Sequence, residues 1–127
     1  EMVQADPCLL SRLAAQMVDG FEAAVRVCEV GLQCLGRRAA QPEVWDLLRA
    51  RMATALLAFG VALSARAAQR PPGSLGAEER DDIRVRAGAL LQRARGVFKE
   101  VGQLSKAAAA LYQTARLNGA LAKHEAV

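Results

Sequence analysis

Few side chains in this sequence are equipped for bond-making or metal binding. Three cysteines, Cys8, Cys28 and Cys34, and a single histidine, His124, are the only thiols and imidazole. A tetrahedral zinc site needs four such ligands, usually supplied by short paired spacings. These four are scattered, so no metal site is expected; the cysteines read as small buried hydrophobes and His124, near the end of the chain, as a solvated side chain. Cys28 and Cys34 stand about 120° apart round a helix and about 9 Å along it, which no disulfide can bridge without breaking the helix. An odd number of thiols with no pairing scheme points to reduced cysteines and an intracellular setting, cytoplasmic or nuclear. Ser11, Ser64, Ser74 and Ser105 lie in no nucleophile motif and share one histidine between them. No glycine-rich phosphate cradle occurs either. No catalytic residue, cofactor or metal ligand is therefore assigned, and the expected class is not an enzyme.

The pattern that could do recognition chemistry is a line of cations. Arg80, Arg84, Gly88, Leu91, Arg95 and Lys99 recur at spacings of three and four, which places them along one ridge of a helix. Four cations with an exposed leucine and a glycine between them could receive an acidic amphipathic segment: the charges steer it and the leucine adds apolar contact. Asp81, Asp82 and Glu100 partly neutralise this face, which equally suits an ordinary solvated surface. Arg86 and Arg93 lie off the line. Trp45 is the second candidate contact, in the first turn of its helix at the edge of an apolar stripe, where it could anchor a partner or cover the core.

The elements that must position these residues are helices. The chain of 127 residues contains 27 alanines and 17 leucines against 11 valines, one isoleucine and two threonines, a balance that suits helices far better than pleated sheet. With 53% apolar and 24% charged residues it is a folding sequence, long enough for one domain over 1–127 and too apolar for a disordered tail. Opening on Glu1-Met2, it reads as a piece of a larger protein. Its net charge of +4 is spread along the chain, no segment departing from neutrality by more than two charges, whereas phosphate tracking wants a concentrated excess. Nucleic acid is accordingly the weaker partner class. Fourteen of the 17 basic residues are arginine, whose planar fork suits carboxylates, although a GC-rich coding sequence gives the same bias.

Capping signals divide the chain into four. Asp6-Pro7 opens a helix, and Leu10, Leu13, Met17, Phe21, Ala24, Cys28, Leu32 and Leu35 give it one stripe, closed by Gly36-Arg37-Arg38. Pro42-Glu43 opens the second, with Val44, Leu48, Met52, Ala55, Phe59 and Leu63 as its stripe. Leu47, Leu57 and Val61 widen that surface until the helix should be the most buried of the four. Its uncharged run over residues 52–65 is too short to span a bilayer, so no membrane crossing is expected. Residues 70–76 (RPPGSLG) cannot continue a helix. Glu78, Glu79, Asp81 and Asp82 then meet the positive end of a third helix dipole, with Ile83, Ala87, Leu90, Ala94, Val97 and Val101 as its stripe. The same alternation continues in step through Leu104, Ala108, Leu111 and Ala115. Either one helix runs continuously over 77–124, giving three long helices, or the chain breaks near Gly102.

The break is favoured. Phe98, Gly102, Leu104, Ala107 and Leu111 stand at spacings that resemble the helix-to-helix turn inside a tetratricopeptide repeat and, more loosely, a microtubule-interacting-and-trafficking domain. The resemblance spans about 20 of 127 residues and implies a close antiparallel hairpin. It departs from the repeat afterwards, with Thr114 where a small alanine belongs, no terminal proline and no 34-residue period, so it bears on local geometry and not on family membership. The expected fold is an all-α four-helix up-down bundle with helices over 7–36, 42–69, 77–101 and 103–124. The expected function is a non-catalytic interaction or scaffolding module that takes a partner helix or acidic peptide in an inter-helix groove. A homodimeric assembly domain and a basic nucleic-acid-binding bundle are the alternatives, the first favoured if 77–124 were one helix with an unpaired apolar half.

Overall fold

The computed structural model describes residues 7–125, with side chains from residue 19 onward. Within those limits the chain is an all-α four-helix bundle with no strand: α1 (Pro7–Leu35), a 3-10 turn (Arg38–Ala40), α2 (Pro42–Gln69), α3 (Ala77–Glu100) and α4 (Leu104–Glu125). Each boundary has a local cause. Pro42 sits at the start of α2, where a missing N–H is no loss. Glu78 and Glu79 lie in the first turn of α3 and Lys99 in its last, both suited to the dipole. α1 stops at Gly36, whose φ of 76° lets its N–H reach back 3.0 Å to the Leu32 carbonyl.

The apolar alternation runs straight through residue 102, yet the helix ends there. Gly102 takes φ 78°, a left-handed conformation that costs an L-residue about 1–2 kcal/mol and glycine little. Its N–H donates to Lys99 O at 3.1 Å and the N–H of Gln103 to Phe98 O at 2.8 Å, the paired bonds that close a helix end with a Schellman turn. The chain therefore reverses into an α3–α4 hairpin, and the continuous 77–124 helix does not form. With it goes the unpaired apolar half that favoured a homodimer.

The reversal also resets which side of α4 is buried. Leu104, Ala108, Leu111 and Ala115, expected to prolong the α3 stripe, face solvent, with Leu104 66% and Leu111 51% exposed. Ala107, Ala110, Leu117, Leu121 and His124 are buried instead. Alanines on every side gave α4 no distinctive face, so packing against α2 and α3 selected it. Similarly, α1 buries Val25, Cys28 and Leu32 while Ala24 is exposed, and Val44 and Leu47 at the start of α2 remain open to water. The side chains of Leu10, Leu13 and Met17 lie outside the described residues.

α2 is the central helix, packed against α1, α3 and α4. By length and composition it passes as a bilayer-crossing segment; here its apolar surface meets the other three helices. One cluster joins Val25, Cys28 and Leu32 to Met52, Ala53 and Leu56, and these to Ala94, Val97, Phe98 and Ala107. A second joins Phe59, Leu63 and Ala67 to Leu75, Ile83, Ala87 and Leu91, and to Leu117 and Leu121. At Gly60 α2 lies close against α3: a Cβ there would lie 2.8 Å from Leu91 Cγ and Cδ2.

Candidate functional site

α3 and α4 leave a groove of about 470 Å³ along their outer seam. Arg84, Val85, Gly88, Ala89, Gln92 and Arg95 line it from α3, with Leu111, Thr114, Leu117 and Asn118 facing them from α4. The two walls follow from helical spacing. Arg84, Gly88 and Arg95 share one line, and Val85, Ala89 and Gln92 share the neighbouring line further from the core. At Gly88 a Cβ would meet nothing within 4 Å, so the missing side chain widens the groove and serves no internal packing. The lining contains two guanidinium groups and no carboxylate. Arg84 and Arg95 stand about 16 Å apart by helical rise.

The two arginines are held differently. Arg84 donates to Asp81 Oδ1 at 2.8 Å, one helical turn back, and also to Glu125 Oε1 at the end of α4. Arg95 makes no ion pair among the described residues. An incoming carboxylate would therefore meet an unpaired cation at one end of the groove and an engaged one at the other.

The remaining ridge residues do not join them. Leu91, expected as the exposed apolar contact, is fully buried against Gly60, because the neighbouring Leu90 is only half-buried and it is Leu91 that points between α2 and α3. Arg80 is half-buried and donates to the Leu75 carbonyl at 3.1 Å, tying down the loop before α3. Lys99 is exposed beyond the groove, and Trp45 packs against the first core cluster without lining it. Of the expected contacts, Arg84, Gly88 and Arg95 are brought together here. The α4 wall was missed. The apolar alternation places Leu111 in the core stripe, whereas it faces solvent, and the exposed Val85, off the stripe of α3, is the available signal for a second apolar line.

A second cleft of about 340 Å³ lies where α1 and α3 straddle α2, floored by Val25, Leu56, Phe59 and Leu90. Its rim is balanced in charge, and the Glu29–Arg93 pair at 2.9 Å spans it. That neutrality gives an incoming segment no electrostatic preference.

His124 is not solvated. It is 3% exposed, its Nδ1 accepting the N–H of Gly73 at 3.1 Å and its Nε2 lying 2.8 Å from the Ala67 carbonyl. With Nδ1 accepting, a proton on Nε2 lets the ring satisfy the loop N–H of Gly73 and the Ala67 carbonyl in the last turn of α2 at once. The ring thus fastens the last turn of α4 under the α2–α3 loop. Among the described residues no three His, Cys, Asp or Glu side chains gather to hold a metal. Burial pushes the Cys28 thiol above its ordinary range, with Arg51 opposing and Glu29 adding to the rise, while Cys34 is exposed. No family model, curated protein or solved structure matches the chain.

Proposed function

We propose that this chain is a non-catalytic protein–protein interaction module whose α3–α4 groove takes an amphipathic, carboxylate-bearing helix from a partner. One observation carries the reading: an apolar groove lined by Arg84 and Arg95, with no carboxylate in its lining and an open glycine at its centre. Leucines of the incoming helix would cover Val85, Ala89 and Leu111, and carboxylates about three turns apart would reach the two arginines. Steering by charge would raise the rate of encounter more than the lifetime of the complex. The absence of catalysis is supported by the groove's own chemistry: its one hydroxyl, on Thr114, donates to the Ala110 carbonyl at 3.0 Å, and the one imidazole is spent on the loop.

The test uses a fluorescein-labelled peptide of about 18 residues, with leucines repeating at three and four and glutamates on both flanks. Saturable binding is expected, weakening as salt rises. Gly88→Trp should abolish it, by at least about tenfold, because the indole fills the groove without touching the core. Equal binding by wild type and Gly88→Trp would overturn the assignment. A second reading, a homodimeric assembly domain, is favoured by the exposed Val27, Val30, Val44 and Leu47 on the α1–α2 side. A solution mass of twice 13.5 kDa by light scattering would support it. Salt-dependent retention on DNA or RNA, lost in Arg95→Glu, would instead support the nucleic-acid alternative.

A further inference from the structure

We infer that the last turn of α4 is a built-in competitor for the groove: Glu125 occupies Arg84, and His124 keeps Glu125 in place. The inference rests on the groove being the binding site. Three observations carry it. First, Arg84 is shared between two carboxylates of different standing. Asp81 belongs to the same helix, one turn away, and moves with it. Glu125 comes from another helix, so its carboxylate stands where one from an incoming segment would.

Second, the Arg84–Glu125 pair is weak enough to be displaced. The two side chains are 43% and 48% exposed, and pairs in that setting are screened by water and salt. Third, the residue beside Glu125 is the buried His124, whose two hydrogen bonds to Ala67 and Gly73 fix the turn. Without that seat, the final turn of a helix frays, and a frayed Glu125 would no longer be held near Arg84. Arg95 has no such competitor among the described residues. An acidic segment would engage Arg95 first and gain Arg84 only as Glu125 leaves, which sets the affinity below what two free arginines would give.

The experiment compares wild type, Glu125→Gln, His124→Ala and the double variant for binding of the same labelled Leu/Glu peptide at low salt, at a temperature where circular dichroism shows all four helical. Glu125→Gln is expected to bind about two- to fivefold more tightly, the range for an exposed ion pair, with the gain fading at high salt. His124→Ala should show a similar gain despite lower thermal stability. Adding it to Glu125→Gln should bring nothing further, because both act through one carboxylate. That non-additivity is the signature a merely structural histidine would not produce. Unchanged affinity in Glu125→Gln, with Arg95→Glu still weakening the peptide, would overturn the competitor and leave the groove standing. Additive gains in the double variant would remove His124 from the device. No effect of Arg95→Glu, or no binding by any form, would overturn the groove reading and the competitor with it.

Discussion

The two hairpins of this fold are built to different tolerances. In the α3–α4 hairpin Leu91, Ala94, Phe98 and Ala110 are fully buried, and Leu117 and Leu121 nearly so. In the α1–α2 hairpin the described part of α1 contributes Val25, Cys28 and Leu32, each at 9% exposure, and none of its described residues is fully enclosed. α4 packs on both α3 and α2, whereas the main packing of α1 is on α2. Phe21 stacked on Phe59, with ring centroids 5.7 Å apart, belongs to that packing, and the tie of α1 to α3 is the exposed Glu29–Arg93 pair across their cleft. A helix held chiefly by one neighbour is the element expected to open first. The groove sits on the better-anchored hairpin, where an incoming helix finds rigid walls and loses little to reorganisation.

The sharpest way to break that comparison is to cut the core on each side. Phe98→Ala should cost about 3–5 kcal/mol, as expected for an aromatic truncated in a closed core. Val25→Ala on α1 should cost about 1 kcal/mol. Both can be read from urea denaturation at constant m-value, and equal losses would show α1 to be as integral as α3.

Two glycines then test the same contrast with opposite signs. Gly60→Ala forces a methyl into Leu91 and should destabilise by about 1–2 kcal/mol, overpacking outweighing the helix propensity gained. Gly88→Ala meets open space and should stabilise by up to about 1 kcal/mol. Thermal melts of the pair decide the matter. A stable Gly60→Ala would mean that α2 and α3 can part as easily as α1 leaves.

The smallest effect belongs to the link between α1 and α2. Arg38 donates to both carboxylate oxygens of Asp46, at 3.0 and 2.9 Å, and that hydrogen-bonded fork, more than the charge itself, holds the Asp46 carboxyl below its usual range. A depressed carboxylate contributes stability above the unfolded value of about 3.9 and loses it as pH falls through the lower folded value. Since both groups are exposed, acidification below about pH 4 should shift the Asp46 side-chain resonance with little change in melting temperature. In Arg38→Gln the midpoint of that resonance shift should rise toward the ordinary carboxylate value of about 3.9, and an unchanged midpoint would assign the depression to another cause.

What the sequence made legible was local. Pro42, Gly36, Gly102 and the prolines of residues 70–76 act within a turn of themselves, so the four helices fall within one or two residues of where these signals place them. The phase of α4 was not legible. Alanine at 107, 108, 109 and 110 offers any face for burial, and only the position of α2 decides among them. Leu90 and Leu91 pose the same problem: adjacent leucines lie 100° apart, and the groove beside Gly60 selects the second. Of the candidate site only Arg84, Gly88 and Arg95 followed from spacing along α3; the α4 wall depended on the phase just described. His124 left no trace in the pattern, since both its partners are main-chain groups, one at the end of α2 and one in the loop after it, more than fifty positions away.

Gly102 has a consequence for how the chain could be rewired. Because the apolar alternation keeps step across it, a side chain that disfavours the left-handed turn would leave a register ready to continue as a straight rod. The fourth helix would then project away from its own second and third, and the vacated berth could be filled by the corresponding helix of another copy, giving an arm exchange between identical chains. A single dihedral angle near the middle of the second hairpin thus separates a self-contained fold from an interlocked one.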